Sequence, residues 1–225
     1  MKLIIFDIDG TLTDTKKVDD ICFIDAFDKT FDIDITDMNW DEFTTVTDWG
    51  ITRDVVFKEF KKELSAYDHE LMKFNFFEKL LQERSSKPNL FKEVSGALKF
   101  YKLIKEHLDF EVGIATGCWE QSGVIKLNEI GIDPTNVAYS NSDFFINREE
   151  IVLHTIALAE EKHKNKFSEI IYFGDGIWDY KTCKSLGIRF IGIDILKDRK
   201  LKDLGTEFVF ENFLPTQSIL EVLNI

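Results

Sequence analysis

The chain begins with MKLIIFDIDGTLTD, residues 1–14, in which a short apolar run leads directly into two carboxylates, Asp7 and Asp9, and then a Gly10-Thr11 break. The run over residues 2–6 is brief and bounded by turn residues, which predicts a buried β-strand. Asp7 and Asp9 would then lie at the carboxyl end of that strand. Because open parallel α/β sheets bind their ligands at this edge, the opening stretch indicates where the chemistry lies.

The composition excludes several classes of protein. With 225 residues, 44% of them hydrophobic, the chain can bury the core of one α/β domain with an insertion. A formal net charge of -13 opposes binding to nucleic acid, and no apolar run approaches the roughly 20 residues that cross a bilayer. The three cysteines form no CxxC pair, and the first apolar run is too short for a signal peptide, which favours a reducing, cytoplasmic location.

Residues 16–87 have helical rather than strand periodicity. Apolar residues recur at helical spacing over 21–31, 55–64 and 71–81. The polar run Ser85-Ser86-Lys87-Pro88-Asn89 predicts a break, where the chain returns to the rest of the fold. We therefore expect a helical domain at 16–87, inserted between the two parts of a core domain, 1–15 and 88–225.

After residue 88, strands alternate with helices, which is typical of a parallel sheet. Strands are predicted at 112–115, 137–139, 169–173 and 189–193, and helices at 94–104, 120–130, 149–161 and 179–186. The predicted fold class is α/β, a Rossmann-like parallel sheet sandwiched between helices, with the all-helical insertion as a second unit.

Polar clusters follow three of the predicted strands. They are Asp7-Ile8-Asp9-Gly10-Thr11, Thr116-Gly117 and Gly174-Asp175-Gly176-Ile177-Trp178-Asp179. A single DxD or Gly-Asp pair often does no more than turn the chain, but the ends of parallel strands meet at one edge. Carboxylates, a hydroxyl and helix N-terminal amides together indicate a site for Mg²⁺ and a phosphoryl group.

These clusters, in this order and spacing, resemble the haloacid dehalogenase-like superfamily of aspartyl-phosphate phosphotransferases. The matching strings are DIDGTLTD at 7–14, IATG at 114–117 and GDGIWD at 174–179. The resemblance spans nearly the whole chain, and the helical stretch lies where many members insert a cap domain. Within the superfamily, the chain is similar to the phosphoglycolate phosphatase and β-phosphoglucomutase branch.

The resemblance implies a role for each carboxylate. Asp7 would be the nucleophile that attacks a phosphate monoester, and Asp9 the general acid and base. Dehalogenases lack this second acid because a halide leaves without a proton, so Asp9 favours phosphate-ester chemistry. Mg²⁺ would bind to Asp7, to the backbone carbonyl of Asp9 and to Asp175, with Asp179 beside it.

The remaining expected contacts are with phosphate. Thr116 and Gly117 would bind phosphate oxygens at a helix N-terminus, although Thr116 could also cap that helix. The family usually has a lysine, often in a Lys-Pro pair, ahead of the helix that precedes GDGIWD. The chain has no such pair there, and Arg148 occupies the matching position. Lys126, on the helix after Thr116, is the next candidate for this cation.

The setting of Arg148 supports its assignment. Asn147 and Glu150 predict an N-cap and its reciprocal partner, which puts Arg148 in the first turn of a helix, where a positive charge opposes the helix dipole. An arginine is planar and bidentate where a lysine is a point charge, so the exchange is reasonable but not equivalent.

Substrate selection is expected from the helical insertion. Residues 47–53, Thr-Asp-Trp-Gly-Ile-Thr-Arg, predict a polar break between two helices that could face the catalytic cluster. Trp49 and Arg53 are therefore candidates for substrate contact. An ordinary helix–helix loop with a solvated Arg53 is the alternative.

These expectations describe a Mg²⁺-dependent phosphatase that acts on a small phosphorylated metabolite, as a monomer or a dimer. A phosphomutase, which returns the phosphoryl group to its substrate, has the same motifs and stays open. A non-catalytic phosphate-binding regulatory protein is a third interpretation. Loss of Asp7 or Asp9 would indicate such a protein, and both residues are present.

Overall fold

The computed structural model describes residues 1–40 and 43–224. Its described strands form one parallel six-stranded sheet in the order β3-β2-β1-β4-β5-β6. The strands are β1 (Lys2–Phe6), β2 (Phe110–Ala115), β3 (Ala138–Ser140), β4 (Ile170–Gly174), β5 (Arg189–Ile193) and β6 (Phe208–Phe210). The predicted α/β fold with a Rossmann-like parallel sheet is confirmed.

The helices of the described residues fall into two groups. Three lie in the predicted insertion: α1 (Lys16–Phe31), α2 (Asp48–Phe60) and α3 (Ala66–Ser86). The others are α4 (Ala97–Glu106), α5 (Glu120–Glu129), α6 (Arg148–His163), α7 (Ile177–Leu186), α8 (Lys200–Asp203) and α9 (Thr216–Leu223). Short 3-10 turns lie at Pro88–Leu90 and Pro134–Asn136. None of the described helices combines the length and apolar character needed to span a membrane.

The central strand β1 is buried on both faces, as expected for a parallel sheet covered by helices. Ile4 and Phe6 face a core that α4, α5 and α9 complete, in which the rings of Phe6 and Phe173 stack with centroids 5.1 Å apart. Leu3 and Ile5 face the opposite core, which α6 and α7 cover. This packing on two sides fixes β1, and therefore the position of the residues that follow it.

The insertion has an apolar cluster of its own. Phe23 and Phe27 of α1 pack against Met72 and Phe76 of α3, and Trp119 from the loop after β2 completes the cluster. The rings of Phe76 and Trp119 meet edge to face with centroids 5.4 Å apart. The described part of the range 16–87 thus consists mainly of the three helices α1, α2 and α3, packed onto the edge of the sheet, while the domain limits stay a prediction.

Two sequence expectations about local structure are wrong. Residues 48–53 are helical rather than a loop, because the Thr47 hydroxyl accepts the Gly50 N–H at 3.0 Å and caps α2. Gly50 was interpreted as a breaker, yet a Cβ there would lie 2.8 Å from the Thr45 carbonyl oxygen, so close packing explains the glycine. The predicted break at 85–89 begins later, because α3 includes Ser85 and Ser86.

Candidate active site

Three neighbouring strands deliver the predicted polar clusters to one edge of the sheet. β1 lies between β2 and β4, so Asp7, Thr116 and Asp175 each follow a strand at the same edge. The Asp7 N–H donates to the Phe173 carbonyl at 2.9 Å, which extends the sheet pairing to the residue itself. The side chains of Asp7 and Thr116 are almost completely buried.

A cavity of about 560 Å³ opens at this edge. Its walls include Asp7, Asp9, Thr116, Gly117, Arg148 and Asp175 from the strand-end loops and α6. The helical region contributes Phe23, Trp40, Thr47, Asp48 and Ile51. The structure therefore brings most of the predicted site residues together beneath the helices.

Trp49 and Arg53 do not lie among the residues that line this cavity. The Trp49 ring stacks on His69 with centroids 4.8 Å apart, and the Arg53 guanidinium binds Asp54 at 2.6 Å. Because residues 48–53 are helical, these two side chains, four positions apart, share one face of α2, while Asp48 and Ile51 point toward the cavity. The expectation that Trp49 and Arg53 contact substrate finds no support in this placement.

Three carboxylates form a buried cluster that suits a hard cation. Oxygen atoms of Asp7, Asp175 and Asp179 all lie within 4.8 Å of one another. One oxygen of Asp7 and one of Asp175 are buried without any hydrogen-bond partner, an arrangement that costs free energy unless a ligand satisfies them. Mg²⁺ prefers oxygen ligands of this kind, so the residues fit the predicted metal.

The pKa values of this cluster reflect its burial. Burial raises the pKa of Asp7 well above its ordinary value, and repulsion from Asp179 adds to the rise, while Arg148 opposes it. Burial also raises the pKa of Asp175 to about 6, although Lys16 lowers it in part. A bound divalent cation would favour the ionised form of both carboxyl groups.

Arg148 lies where the resemblance placed the phosphate-binding cation. Its Nη1 is 2.6 Å from Asp179 and 3.6 Å from Asp7, and its Nε donates to the Val46 carbonyl at 2.8 Å. Burial opposes its charge, but Asp179 and Asp7 outweigh that effect and raise the pKa of Arg148. The guanidinium is therefore a fixed positive charge beside the predicted nucleophile.

The capping interaction predicted next to Arg148 is wrong in detail. Asn147 occupies the N-cap position of α6, but its side chain makes no capping hydrogen bond to the helix. Its amide instead donates to the Glu150 carboxylate at 3.3 Å. Asn147 and Glu150 thus form a side-chain pair at the start of α6 but no capping box.

Lys126 is the second cation, and it binds a different carboxylate. Its side chain is fully buried, with Nζ 2.9 Å from Asp9 and 2.6 Å from Asp19. Burial raises the pKa of Asp9, but the Lys126 ammonium and hydrogen bonds from Cys118 and Thr15 outweigh it, so the pKa lies below its ordinary value. Arg148 is thus the cation next to Asp7, and Lys126 the cation next to Asp9.

Lys16 is a site residue that the sequence reasoning missed. It is the first residue of α1, and its ammonium contacts the Asp175 carboxylate within the candidate metal cluster. A lysine in the first turn opposes the helix dipole, the same local conflict that supports the assignment of Arg148. That conflict is the sequence signal at Lys16, and the adjacent Lys17 shares it, so the contact with Asp175 comes from the fold.

The helical region is joined to the core by the segment 46–48. Three hydrogen bonds join it to the strand-end loops: Asp48 N–H to the Gly117 carbonyl at 2.8 Å, the Thr47 hydroxyl to the Ile146 carbonyl at 2.7 Å, and Arg148 Nε to the Val46 carbonyl. A Cβ at Gly117 would lie 2.9 Å from the Val46 carbonyl oxygen, so only a glycine permits this approach.

The Asp48 side chain is part of the same contact. Its carboxylate accepts the Trp119 N–H at 2.8 Å, at the position where α5 begins. Thr116 does not cap α5, although the sequence allowed this role. The N-cap residue of α5 is Trp119. The Thr116 hydroxyl instead accepts the Cys118 N–H at 3.2 Å and lies in the cavity wall.

The parallel sheet has helices on both faces and a helical insertion over its carboxyl edge, where a buried carboxylate lies beside an arginine. These features define the class of capped α/β proteins whose site lies at the ends of the strands. The haloacid dehalogenase-like hydrolase model matches residues 4–193. The chain belongs to this family. None of the curated proteins matches the sequence significantly.

Solved structures of the same fold cover almost the whole chain. A hydrolase from Pseudomonas syringae has 18% identity and a TM-score of 0.76, with 98% of both chains covered. A predicted phosphoglycolate phosphatase from Haemophilus somnus has 15% identity and a TM-score of 0.69, with 97% of both covered. CbbY from Rhodobacter sphaeroides in complex with phosphate has 16% identity and a TM-score of 0.70, with 94% of both covered. At these identities the likeness establishes the fold.

Proposed function

We propose that the protein is a Mg²⁺-dependent phosphatase that hydrolyses a small phosphorylated metabolite through an aspartyl-phosphate on Asp7. The observation that carries the proposal is the state of the Asp7 carboxylate. It faces the cavity, one of its oxygens is buried without a hydrogen-bond partner, and Arg148 Nη1 lies 3.6 Å away. A buried carboxylate that has an oxygen free of hydrogen bonds and lies beside a fixed cation is suited to attack an anionic ester.

The chemistry then proceeds in two steps. An Asp7 oxygen forms a bond to phosphorus while the bond from phosphorus to the ester oxygen breaks, and Asp9 gives its proton to that oxygen. Water next attacks the phosphorus of the aspartyl-phosphate, Asp9 takes the proton from this water, and Asp7 is released. A bound phosphate adds negative charge beside Asp9, which raises its pKa and favours the protonated form that the first step requires.

The remaining residues bind and orient the phosphoryl group. Arg148 and the Thr116 hydroxyl would hold phosphate oxygens, with Gly117 allowing a close backbone approach. Asp7, Asp175 and Asp179, with the backbone carbonyl of Asp9, would hold Mg²⁺, which neutralises phosphate charge when bound.

The partner in this proposal is the metabolite, with no role for nucleic acid or membrane. The helical region contributes the apolar side chains of Phe23, Trp40 and Ile51 to the cavity lining. Because these side chains come from the insertion and not from the catalytic loops, they are the part of the cavity that would contact the alcohol of the ester. The neighbour from Haemophilus somnus described as a phosphoglycolate phosphatase supports a small substrate.

The test is hydrolysis of p-nitrophenyl phosphate with and without Mg²⁺ by the wild type and by Asp7→Asn. We expect turnover that requires Mg²⁺ and falls to background in Asp7→Asn, whereas Asp109→Asn, at an exposed position remote from the site, retains it. Equal turnover in all samples would refute the proposal. Phosphate binding without any turnover across a metabolite panel would favour the regulatory alternative.

A phosphomutase is the second candidate. A β-phosphoglucomutase candidate from Bacteroides vulgatus shares the fold with a TM-score of 0.71 and 18% identity, over 100% of this chain and 89% of that one. The two activities differ in the acceptor of the phosphoryl group. Conversion of a sugar 1-phosphate to the 6-phosphate without phosphate release would identify a mutase.

A further inference from the structure

The proposed chemistry assigns no task to Lys126, although its side chain is completely buried. A buried ammonium group is costly unless carboxylates surround it. Lys126 Nζ has two such partners, Asp9 at 2.9 Å and Asp19 at 2.6 Å. Arg148 already supplies the cation beside Asp7, so this second buried charge needs another explanation.

The contacts of Asp9 supply one. Its Oδ2 accepts from Lys126 Nζ and from Cys118 Sγ, the latter at 2.7 Å, and its Oδ1 accepts from the Thr15 hydroxyl. Both oxygens are therefore anchored while the side chain still lies in the cavity wall. An acid or base must be held within hydrogen-bond reach of the atom it serves, and these donors fix the direction in which Asp9 points.

The two partners of Lys126 come from different parts of the fold. Lys126 is on α5 of the core, Asp9 follows β1, and Asp19 is in the first turn of α1, the first helix of the inserted region. The ammonium therefore bridges the proton-transfer residue and the helical region. If α1 moved away, Lys126 would lose one of its carboxylates and Asp9 would lose the Thr15 hydroxyl.

We propose that Lys126 is a positioning residue that orients Asp9 for proton transfer, and that Asp19 makes this orientation depend on the seating of the helical region on the core. The inference rests on the proposed function, because Asp9 has a proton to transfer only if the substrate is an ester. It assigns Lys126 a role apart from phosphate binding.

The inference predicts a particular dependence on the leaving group. A basic leaving group needs the proton from Asp9 as its bond to phosphorus breaks, whereas a weakly basic one departs with little assistance. Phenyl phosphate and p-nitrophenyl phosphate differ in this property and share the aryl ring. Misplacement of Asp9 should therefore slow phenyl phosphate hydrolysis more than p-nitrophenyl phosphate hydrolysis, whereas general damage to the fold should slow both equally.

The main variant is Lys126→Met with Asp19→Asn, which removes one positive and one negative charge together. The matched control is Arg84→Met with Glu129→Gln, because Arg84 Nε lies 2.6 Å from Glu129 on the same helix α5 and joins it to α3 without contacting Asp9. We expect the main variant to lower the ratio of kcat/KM for phenyl phosphate to that for p-nitrophenyl phosphate about tenfold, through kcat. The control should leave the ratio unchanged.

Thermal unfolding of each variant accompanies the kinetics. If the double variant does not fold, Asp19→Asn alone keeps the Asp9–Lys126 pair and should lower the same ratio in the same direction. Equal losses with the two esters, or an unchanged ratio in a folded variant, would overturn the inference while the proposed function stands. Failure of the wild type to turn over either ester would instead overturn both.

Discussion

Replacement of Asp48 by Asn tests the electrostatics of the contact between the helical region and the core. Asp48 is 8% exposed, and its carboxylate accepts the Trp119 N–H at 2.8 Å. Burial raises the pKa of Asp48 to about 7, although Lys126 and the Trp119 hydrogen bond offset part of the rise. Asn has the same shape and retains a carbonyl acceptor, so the variant removes the ionisation and keeps the packing.

The direction in which stability changes with pH follows from proton binding by Asp48. Between the ordinary carboxyl pKa near 4 and the folded value of about 7, folded Asp48 binds a proton that the unfolded chain has released, so this residue's contribution to the free energy of unfolding falls as the pH rises. Each pKa unit is worth about 1.4 kcal/mol, which makes the whole loss about 4 kcal/mol. Asn does not titrate, so the free energy of unfolding of Asp48→Asn does not fall with pH for this reason.

Urea unfolding of both proteins from about pH 4 to about pH 8 measures the difference. We expect the stability of Asp48→Asn relative to the wild type to rise by about 4 kcal/mol over this interval, with most of the change complete above the folded pKa. Asp54→Asn on the same helix is the control. A relative stability that stays constant with pH, or that moves in favour of the wild type, would refute the reasoning.

Two further predictions concern the edge of the sheet. Lys16→Met should bind Mg²⁺ at least about tenfold more tightly by titration calorimetry, because a metal must displace the Lys16 ammonium from Asp175; the exposed Lys17→Met should bind as the wild type does, and weaker binding by Lys16→Met would contradict the prediction. Gly10 has φ of +80° and a Cβ there would overlap the Asp175 carboxylate, whereas Gly187 has φ of +68° and open space. Gly10→Ala should therefore no longer bind Mg²⁺, and its free energy of unfolding should fall further than that of Gly187→Ala, which should fall by about 1–2 kcal/mol. Equal falls for the two variants in urea unfolding would count against this explanation.

The sequence was most informative where local pattern and topology agree. β1 could be predicted because an apolar run this short, ended by Asp7, has few alternatives, and the sheet then brings Asp7, Thr116 and Asp175 to one edge by its parallel topology alone. Arg148 is identified through the family resemblance, which places it ahead of the helix before GDGIWD, and its locally unfavourable place in the first turn of a helix supports the assignment. These inferences needed no knowledge of how the helices pack.

The remaining features depend on tertiary contacts. Trp49 and Arg53 were expected at the substrate because 47–53 looked like a loop, and the true phase of α2 turns them away while Asp48 faces inward. The bond of Lys126 to Asp9 and Asp19 requires α5 to pack beside α1, which no periodicity in either helix specifies. For a single charged residue within a helix, such as Lys126, the partners can therefore be identified only once the fold is known.

Three of the hydrogen bonds that join the segment at Val46, Thr47 and Asp48 to the core end on backbone oxygens. The Val46, Ile146 and Gly117 carbonyls accept from the Arg148 side chain, the Thr47 hydroxyl and the Asp48 N–H respectively. Side-chain replacement at Val46 or Ile146 leaves these carbonyls in place. Substitutions at these two positions therefore act on side-chain packing, which is extensive at the buried Val46, and leave the hydrogen bonds of the join in place. Evolutionary drift can in this way change the residues that supply the acceptor carbonyls while the join itself persists, whereas a change at the donors Thr47 and Arg148, or a larger residue at Gly117, would disrupt it.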